Sequence, residues 1–195
     1  EIRFACTRGA PNVSPLTRIE LARSVMPEWI KDQKENSNTD KFLNCPGMSD
    51  YAKAGYIIPA WSDMIIKANR GGTVIKYNNN YNSQESNLNF KMVEPMVPIN
   101  SSVRGLVTKV PCPWAVFGKS GWSGYLIPAY YHSPFLKDLF MYPGIIDFDT
   151  FHTINFVFTA LHECEITIPA GTPLLQLIPF KRETVQGVCM KGTEN

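Results

Sequence analysis

At 195 residues, 44% apolar and 18% charged, the chain has the bulk properties of one ordinary globular domain rather than of a disordered polymer. Its net charge of +2 is too small to favour nucleic acid or an anionic membrane as a partner, and no apolar run approaches the ~18 residues that cross a bilayer. Five widely spaced cysteines, Cys6, Cys45, Cys112, Cys164 and Cys189, form no C-x-x-C pair, which excludes a zinc ribbon or redox dithiol and suits reduced thiols.

In chain order, "EIRFACTRGAPN" carries no apolar run of the signal-peptide kind, so the expected location is cytoplasmic. In "SPLTRIELARSV" Ser14 can cap a helix and Pro15 can occupy its first turn, with Leu16 and Ile19 at helical spacing. "MPEWIKDQKEN" restarts a helix at Pro27 and Glu28, anchored by Trp29 and Ile30. The polar run 32–40 is a linker. Residues 1–40 are therefore expected to be a helical N-terminal arm and linker, and 41–195 a single β-barrel domain.

From residue 42 the pattern changes to a short strand, a Pro46-Gly47 turn, apolar runs at 56–58 and 64–66, and a strand at 72–77. The Asn-rich stretch 78–89 is a loop. Strands are expected around 103–110, 114–117 and 122–127, separated by turns at "VPCP" and "GKSG", with one helical turn within 130–140. In the last quarter Ile154, Phe156 and Phe158 alternate with Asn155, Val157 and Thr159. Cys164, Ile166 and Ile168 likewise alternate with Glu165 and Thr167, the period-2 signature of half-buried strands. A turn at Pro169-Ala170-Gly171 leads to the more apolar "PLLQLIPF". The expected fold is mainly β, a distorted barrel or jelly roll, with these C-terminal strands pairing side by side and Gly144–Asp149 turning tightly into the first of them.

The stretch "PGIIDFDTFHTINFVF", followed by "ITIPAGTPLLQLIPFKRE", resembles the third and fourth motifs of the dUTPase and dCTP deaminase superfamily. Gly144, Ile145, Ile146, Asp147 and Asp149 match the first pattern, and Gly171, Leu174, Gln176 and Leu177 the second. "AGYIIPAWSDMII" and "GKSGW" echo the first and the phosphate-contacting motifs. The resemblance implies a dUTPase-like (β-clip) fold and a nucleotide or small-molecule ligand. It implies water activation by Asp147 as general base and anion contacts from Lys119 and Ser120. Further ligand contacts would come from Asp149, Thr150, Phe151 and Gln176, with Mg2+ if the chain is a nucleotide hydrolase and a homotrimer as the oligomer. Departures from the pattern are specific. Lys119 stands where the family has an arginine, Thr150 where it has a stacking aromatic, and the aspartate of the first motif has no counterpart in "AGYIIPA". The Gly-rich C-terminal arm has no match in residues 184–195. From about Met26 to Glu183 the chain is also similar to a family of small proteins of marine tailed phages, sharing "MPEW", "AGYIIPAW" and "IPAGTPL". That likeness implies a phage source, hence an infected host cell, and a fold rather than an activity.

The two carboxylates of "DFD" admit two readings: a catalytic pair, or acceptors of backbone N–H bonds that shape a turn. "GKS" is not a nucleotide P-loop, since Pro113 replaces the required glycine and no helix follows Ser120. His132, His152 and His162 contain no H-x-H pair, so no metal is expected. The aromatics between 114 and 158 suit core packing, with a base-stacking pocket or an oligomer seam as alternatives. Three functions follow: a ligand-binding protein without the full catalytic set, a divergent nucleoside triphosphate pyrophosphatase using Asp147, or a structural or host-interaction protein.

Overall fold

The computed structural model describes residues 1–6, 17–35, 44–69, 72–78, 107–135 and 137–188. The helix start at Ser14, the expected loop 78–89 beyond its first residue, and Cys189 lie outside them. Twelve strands appear among the described residues: β1 (Arg3–Cys6), β2 (Glu20–Leu21), β3 (Tyr56–Pro59), β4 (Asp63–Asn69), β5 (Gly72–Asn78), β6 (Thr108–Phe117), β7 (Trp122–Pro128), β8 (Leu139–Met141), β9 (Gly144–Asp147), β10 (Thr153–Ala160), β11 (Cys164–Ile168) and β12 (Pro173–Lys181). Two eight-residue helices join them, α1 (Glu28–Glu35) and α2 (Pro46–Lys53).

All the ladders are antiparallel and fall into three open sheets, ordered β1-β6-β10-β8, β11-β4-β5 and β2-β3-β12-β7-β9. The mainly β expectation holds, and the described sheets do not close into a barrel. The expected side-by-side pairing of the C-terminal strands does not form: β10, β11 and β12 belong to three different sheets. Their inward residues meet in the core instead, where Phe156, Phe158, Ile166, Ile168 and Leu177 join Met64, Val110 and Ile146 in one apolar cluster. Alternation specifies which face of a strand is buried; it does not specify which strand lies alongside.

Four local expectations are corrected for physical reasons. Among the described residues the N-terminal stretch does not form the expected continuous helical arm: Arg3–Cys6 pairs with β6, Glu20–Leu21 pairs with β3, and Ala22–Ser24 makes a single 3-10 turn. The α-helix described there is α1, beginning at Glu28 as its sequence signals, with Ile30 buried. Pro46-Gly47 opens α2 instead of forming a turn, because proline fits the first helical turn, where its missing N–H has no partner to lose. The "VPCP" turn is absent and β6 runs straight through Pro111 and Pro113. The described part of β1 pairs with β6 from Phe117 to Trp114, and the register shift in β10 between Thr153 and Asn155 falls opposite Pro113, a place where a ladder tolerates a missing N–H. Within 130–140, hydrogen-bonded turns lead into β8 rather than a helix.

The outer face of β12 and β3 is covered on one half by α2 and the Ala22–Ser24 turn. Gln176 is fully buried there, its amide donating to the Tyr51 carbonyl at 2.8 Å and the Ala54 carbonyl at 2.7 Å, which closes the C-terminal end of α2. The chain leaves α2 through Gly55, whose φ of +68° and close approach to β12 admit no side chain: an added Cβ would lie 2.0 Å from the Leu177 carbonyl oxygen. No helix among the described residues is long and apolar enough to cross a membrane.

Gly55→Ala is expected to cost about 2–4 kcal/mol, because backbone strain and a backbone clash add. Gly171→Ala, at φ +87° but with open space around the added carbon, is expected to cost about 1 kcal/mol. Urea midpoints of the two variants check the contrast, and equal losses would contradict it.

Candidate functional site

Strand β7 lies between β12 and β9, so one end of this sheet gathers the turn before β7, the end of β9 and the end of β12. Ser123 pairs with Asp147 across β7–β9, and Lys181 pairs with Trp122 across β12–β7. The segment Asp147-Phe148-Asp149 then leaves the sheet in a tight turn, in which the Thr150 and Phe151 amides donate to the Asp147 carbonyl at 3.3 and 2.9 Å. Phe148 is buried at its centre and packs so closely under Gly118 that a Cβ there would lie 2.9 Å from the ring. The reason for the D-F-D pattern is therefore geometric: one aromatic plug points in, and its two neighbours point out.

Both carboxylates meet the same cation. Asp147 Oδ1 accepts from Ser123 Oγ at 2.6 Å and lies 3.3 Å from Arg182 Nη1. Asp149 Oδ2 accepts from the Gly121 amide at 3.0 Å and from Arg182 Nη2 at 2.5 Å. The Gly121 amide, with help from the guanidinium and the Ser120 hydroxyl, holds the Asp149 carboxyl down to about 2. Arg182 is itself fixed by its backbone, whose N–H donates to the Gly121 carbonyl at 2.8 Å. A planar fork spanning two carboxylates is a geometry that arginine fills and lysine does not.

The residues singled out from sequence divide into four places. Asp147, Asp149 and Ser120 come together around Arg182. Lys119 and Ser120 are exposed in the turn closed by the Trp122 amide on the Lys119 carbonyl at 3.2 Å, with Gly121 at φ +78°. Lys119 points to a different surface, an open cleft of about 330 Å3 lined by Glu1, Ile2, Tyr56 and Trp122. Thr150 and Phe151 are exposed on the far side of the D-F-D turn, Phe151 next to the stacked pair of His152 and Phe117. Gln176 lies apart, buried under α2. Asp147 lines neither the Lys119 cleft nor the groove formed by Tyr125, Phe180 and residues 181–185. Among the described residues no group of three or more His, Cys, Asp or Glu side chains is placed to hold a metal ion.

Sequence reasoning missed Arg182, Ser123 and Tyr56, and named Trp122 only among the aromatics that a stacking pocket would use. Arg182 was legible in principle as the one guanidinium directly after the last strand, in "PFKRE". Ser123 carried a weaker signal, a small polar residue in an otherwise apolar strand. Tyr56 carried none, because the cleft it shares with Trp122 depends on sheet order.

No protein-family model matches the chain, and no curated protein matches it. Among solved structures, a mutant dUTPase of Staphylococcus bacteriophage 80alpha aligns with 100% of this chain and 99% of its own, at 12% identity and a TM-score of 0.44. A superposition at that score does not by itself establish a common fold.

Replacing Arg182 with Gln is expected to lower stability by about 1 kcal/mol after solvent screening, with Lys restoring only part of the loss. The Asp149 tether is complete above the ordinary carboxylate value of 3.8 and is lost as pH falls from there towards 2. Asp149→Asn should therefore flatten the acid limb of the stability curve in that window, measured as the urea midpoint from pH 5 to pH 2. An unchanged limb would show that the tether is not formed.

Proposed function

We propose that this protein is a phage-encoded binder of a small anionic ligand, of the nucleotide or small-molecule class, that lacks a working hydrolytic centre. The observation that carries the reading is the occupancy of the carboxylates. Asp147 is bound by Ser123 and Arg182 and lies outside the cleft that Lys119 lines, so the base proposed for water activation and the cation proposed for the anion do not face one space. What supports binding is the composition of that cleft: a flexible ammonium at its rim and the aromatic rings of Trp122 and Tyr56 along its walls, a combination suited to a planar ring bearing a negative group. Phe4 meets Tyr56 edge-to-face at 5.0 Å and fixes that wall. The oligomer we propose is a homotrimer, for which a solution mass equal to the 22.0 kDa chain would be contrary.

The test is a thermal-shift titration with dUTP, dCTP and dTTP, with and without Mg2+, paired with chromatographic assay of hydrolysis. The expected result is stabilisation reaching about 2.7 kcal/mol at a hundredfold excess over Kd, without turnover. Lys119→Ala should weaken binding about tenfold, roughly 1.4 kcal/mol, and leave the melting temperature of the free protein unchanged. Turnover that disappears in Asp147→Asn at undiminished stability would establish the pyrophosphatase reading instead. Absence of any shift with every nucleotide would favour a structural or host-interaction role.

A further inference from the structure

The layer formed by α1, α2 and the Ala22–Ser24 turn is fixed to the five-stranded sheet by a small second core. Ala22, Ile57 and Ala129 are its fully apolar members, with Val25 against them. Around them sit aromatic and polar side chains. The Trp29 indole donates to the Tyr131 carbonyl at 3.1 Å, and the Tyr51 and Tyr131 rings meet edge-to-face at 5.5 Å. His132 follows in the same turn, its amide donating to the Ala129 carbonyl at 2.8 Å, and is 8% exposed.

The unusual feature of this second core is its unsatisfied polar atoms. Both ring nitrogens of His132, the Tyr51 hydroxyl and the Gln176 carbonyl oxygen are buried without a hydrogen-bond partner among the described residues. The Ala22 backbone approaches the imidazole, but not in the geometry of an ordinary hydrogen bond. A neutral imidazole tolerates such a place at modest cost, whereas an imidazolium, with two donors and a full charge, does not.

The titratable groups surrounding this turn are phenols: Tyr51 from α2, and Tyr130 and Tyr131 from the turn itself. Tyr51 is pushed up to about 12, by burial first and by the two neighbouring phenols second, so it stays neutral and offers no counter-charge. The described charged side chains on the covering elements are turned to solvent: Glu20 on β2, Arg23 in the 3-10 turn, Glu28, Lys31 and Asp32 on α1, and Asp50 and Lys53 on α2. Lys53 is further engaged with Ser49 at 2.6 Å. Among the described side chains of these elements no carboxylate is buried beside His132 to receive its proton charge.

We infer that His132 is an acid-sensitive latch: only the neutral ring allows the α1–α2 layer to stay docked, and protonation releases that layer from the outer sheet face while the main core remains closed. The separation of the two events follows from the separation of the two cores. The larger cluster of Phe148, Phe156 and Leu177 contains no histidine, and His152, outside it, is held by the Val116 carbonyl at 3.0 Å. Burial lowers the His132 value below 6.5. Docking is therefore complete above pH 6.5 and weakens as pH falls below it, since the released state binds one more proton.

Hydrogen exchange followed by mass spectrometry tests this on the full chain between pH 7.5 and pH 5. Protection factors in residues 17–35 and 44–54 should fall by up to tenfold per pH unit below 6.5, while those of β10 stay level. His132→Leu should abolish the fall; if that variant does not fold, His132→Gln, neutral and capable of hydrogen bonding, provides the same readout. A variant carrying His152→Gln and His162→Gln should keep it. The inference is overturned if the His132 variants retain the fall, if removing the other two histidines abolishes it, or if β10 loses protection in step. An NMR titration placing His132 at or above 6.5 would overturn it as well.

Discussion

A single guanidinium closes one end of the five-stranded sheet. Arg182 extends from the end of β12 across β7 to the turn after β9, and its two terminal nitrogens meet one carboxylate each. Three strands distant in sequence are thereby fixed at a common corner, and the D-F-D turn can have only one conformation. The same contact decides the chemistry available. Asp147 and Asp149 lie two residues apart with a buried ring between them, and without a shared cation their charges would oppose one another. With it they form a closed ionic unit, and the anion-binding potential of the surface passes to the neighbouring turn, where Lys119 is exposed above Trp122 and Tyr56.

Strand β12 couples this corner to the rest of the molecule. Its inward residues, Leu175 and Leu177, enter the main core, Gln176 reaches the opposite face to hold the end of α2, and its final residues lead to Arg182. The two sides differ in kind. The main core is assembled from apolar side chains, with no histidine or carboxylate among its described members. The second core, under α1 and α2, is small and contains unsatisfied polar atoms. A protein built this way has a rigid body and a covering layer that respond to different conditions.

Much of the fold was legible because burial leaves a periodic trace. Ile154, Phe156 and Phe158 announce β10, and Ile166 and Ile168 announce β11, whichever strands lie beside them. Proline and glycine were less informative. Pro111 and Pro113 resemble a turn in isolation, yet β6 continues through both, and β10 shifts its register opposite Pro113. Arg3–Cys6 has little pattern of its own and becomes a strand because β6 presents a free edge to it. Of the candidate site, the turn-shaping reading of the D-F-D pair was available from residue chemistry alone. The Arg182 fork, the Lys119–Trp122–Tyr56 cleft and the burial of Gln176 were not, because each joins residues separated by many tens of positions.

The sequence by itself determined the β class and the inward faces of the long strands, since these follow from side-chain period; the tight entry expected over Gly144–Asp149 is instead a strand as far as Asp147, with the turn only after it. Only the tertiary structure decided that β10, β11 and β12 separate into three sheets, that two carboxylates share one arginine, and that His132 lies buried without a partner. Those outcomes depend on which surfaces meet, and a one-dimensional pattern of apolar and polar residues states that a face will be covered without stating by what.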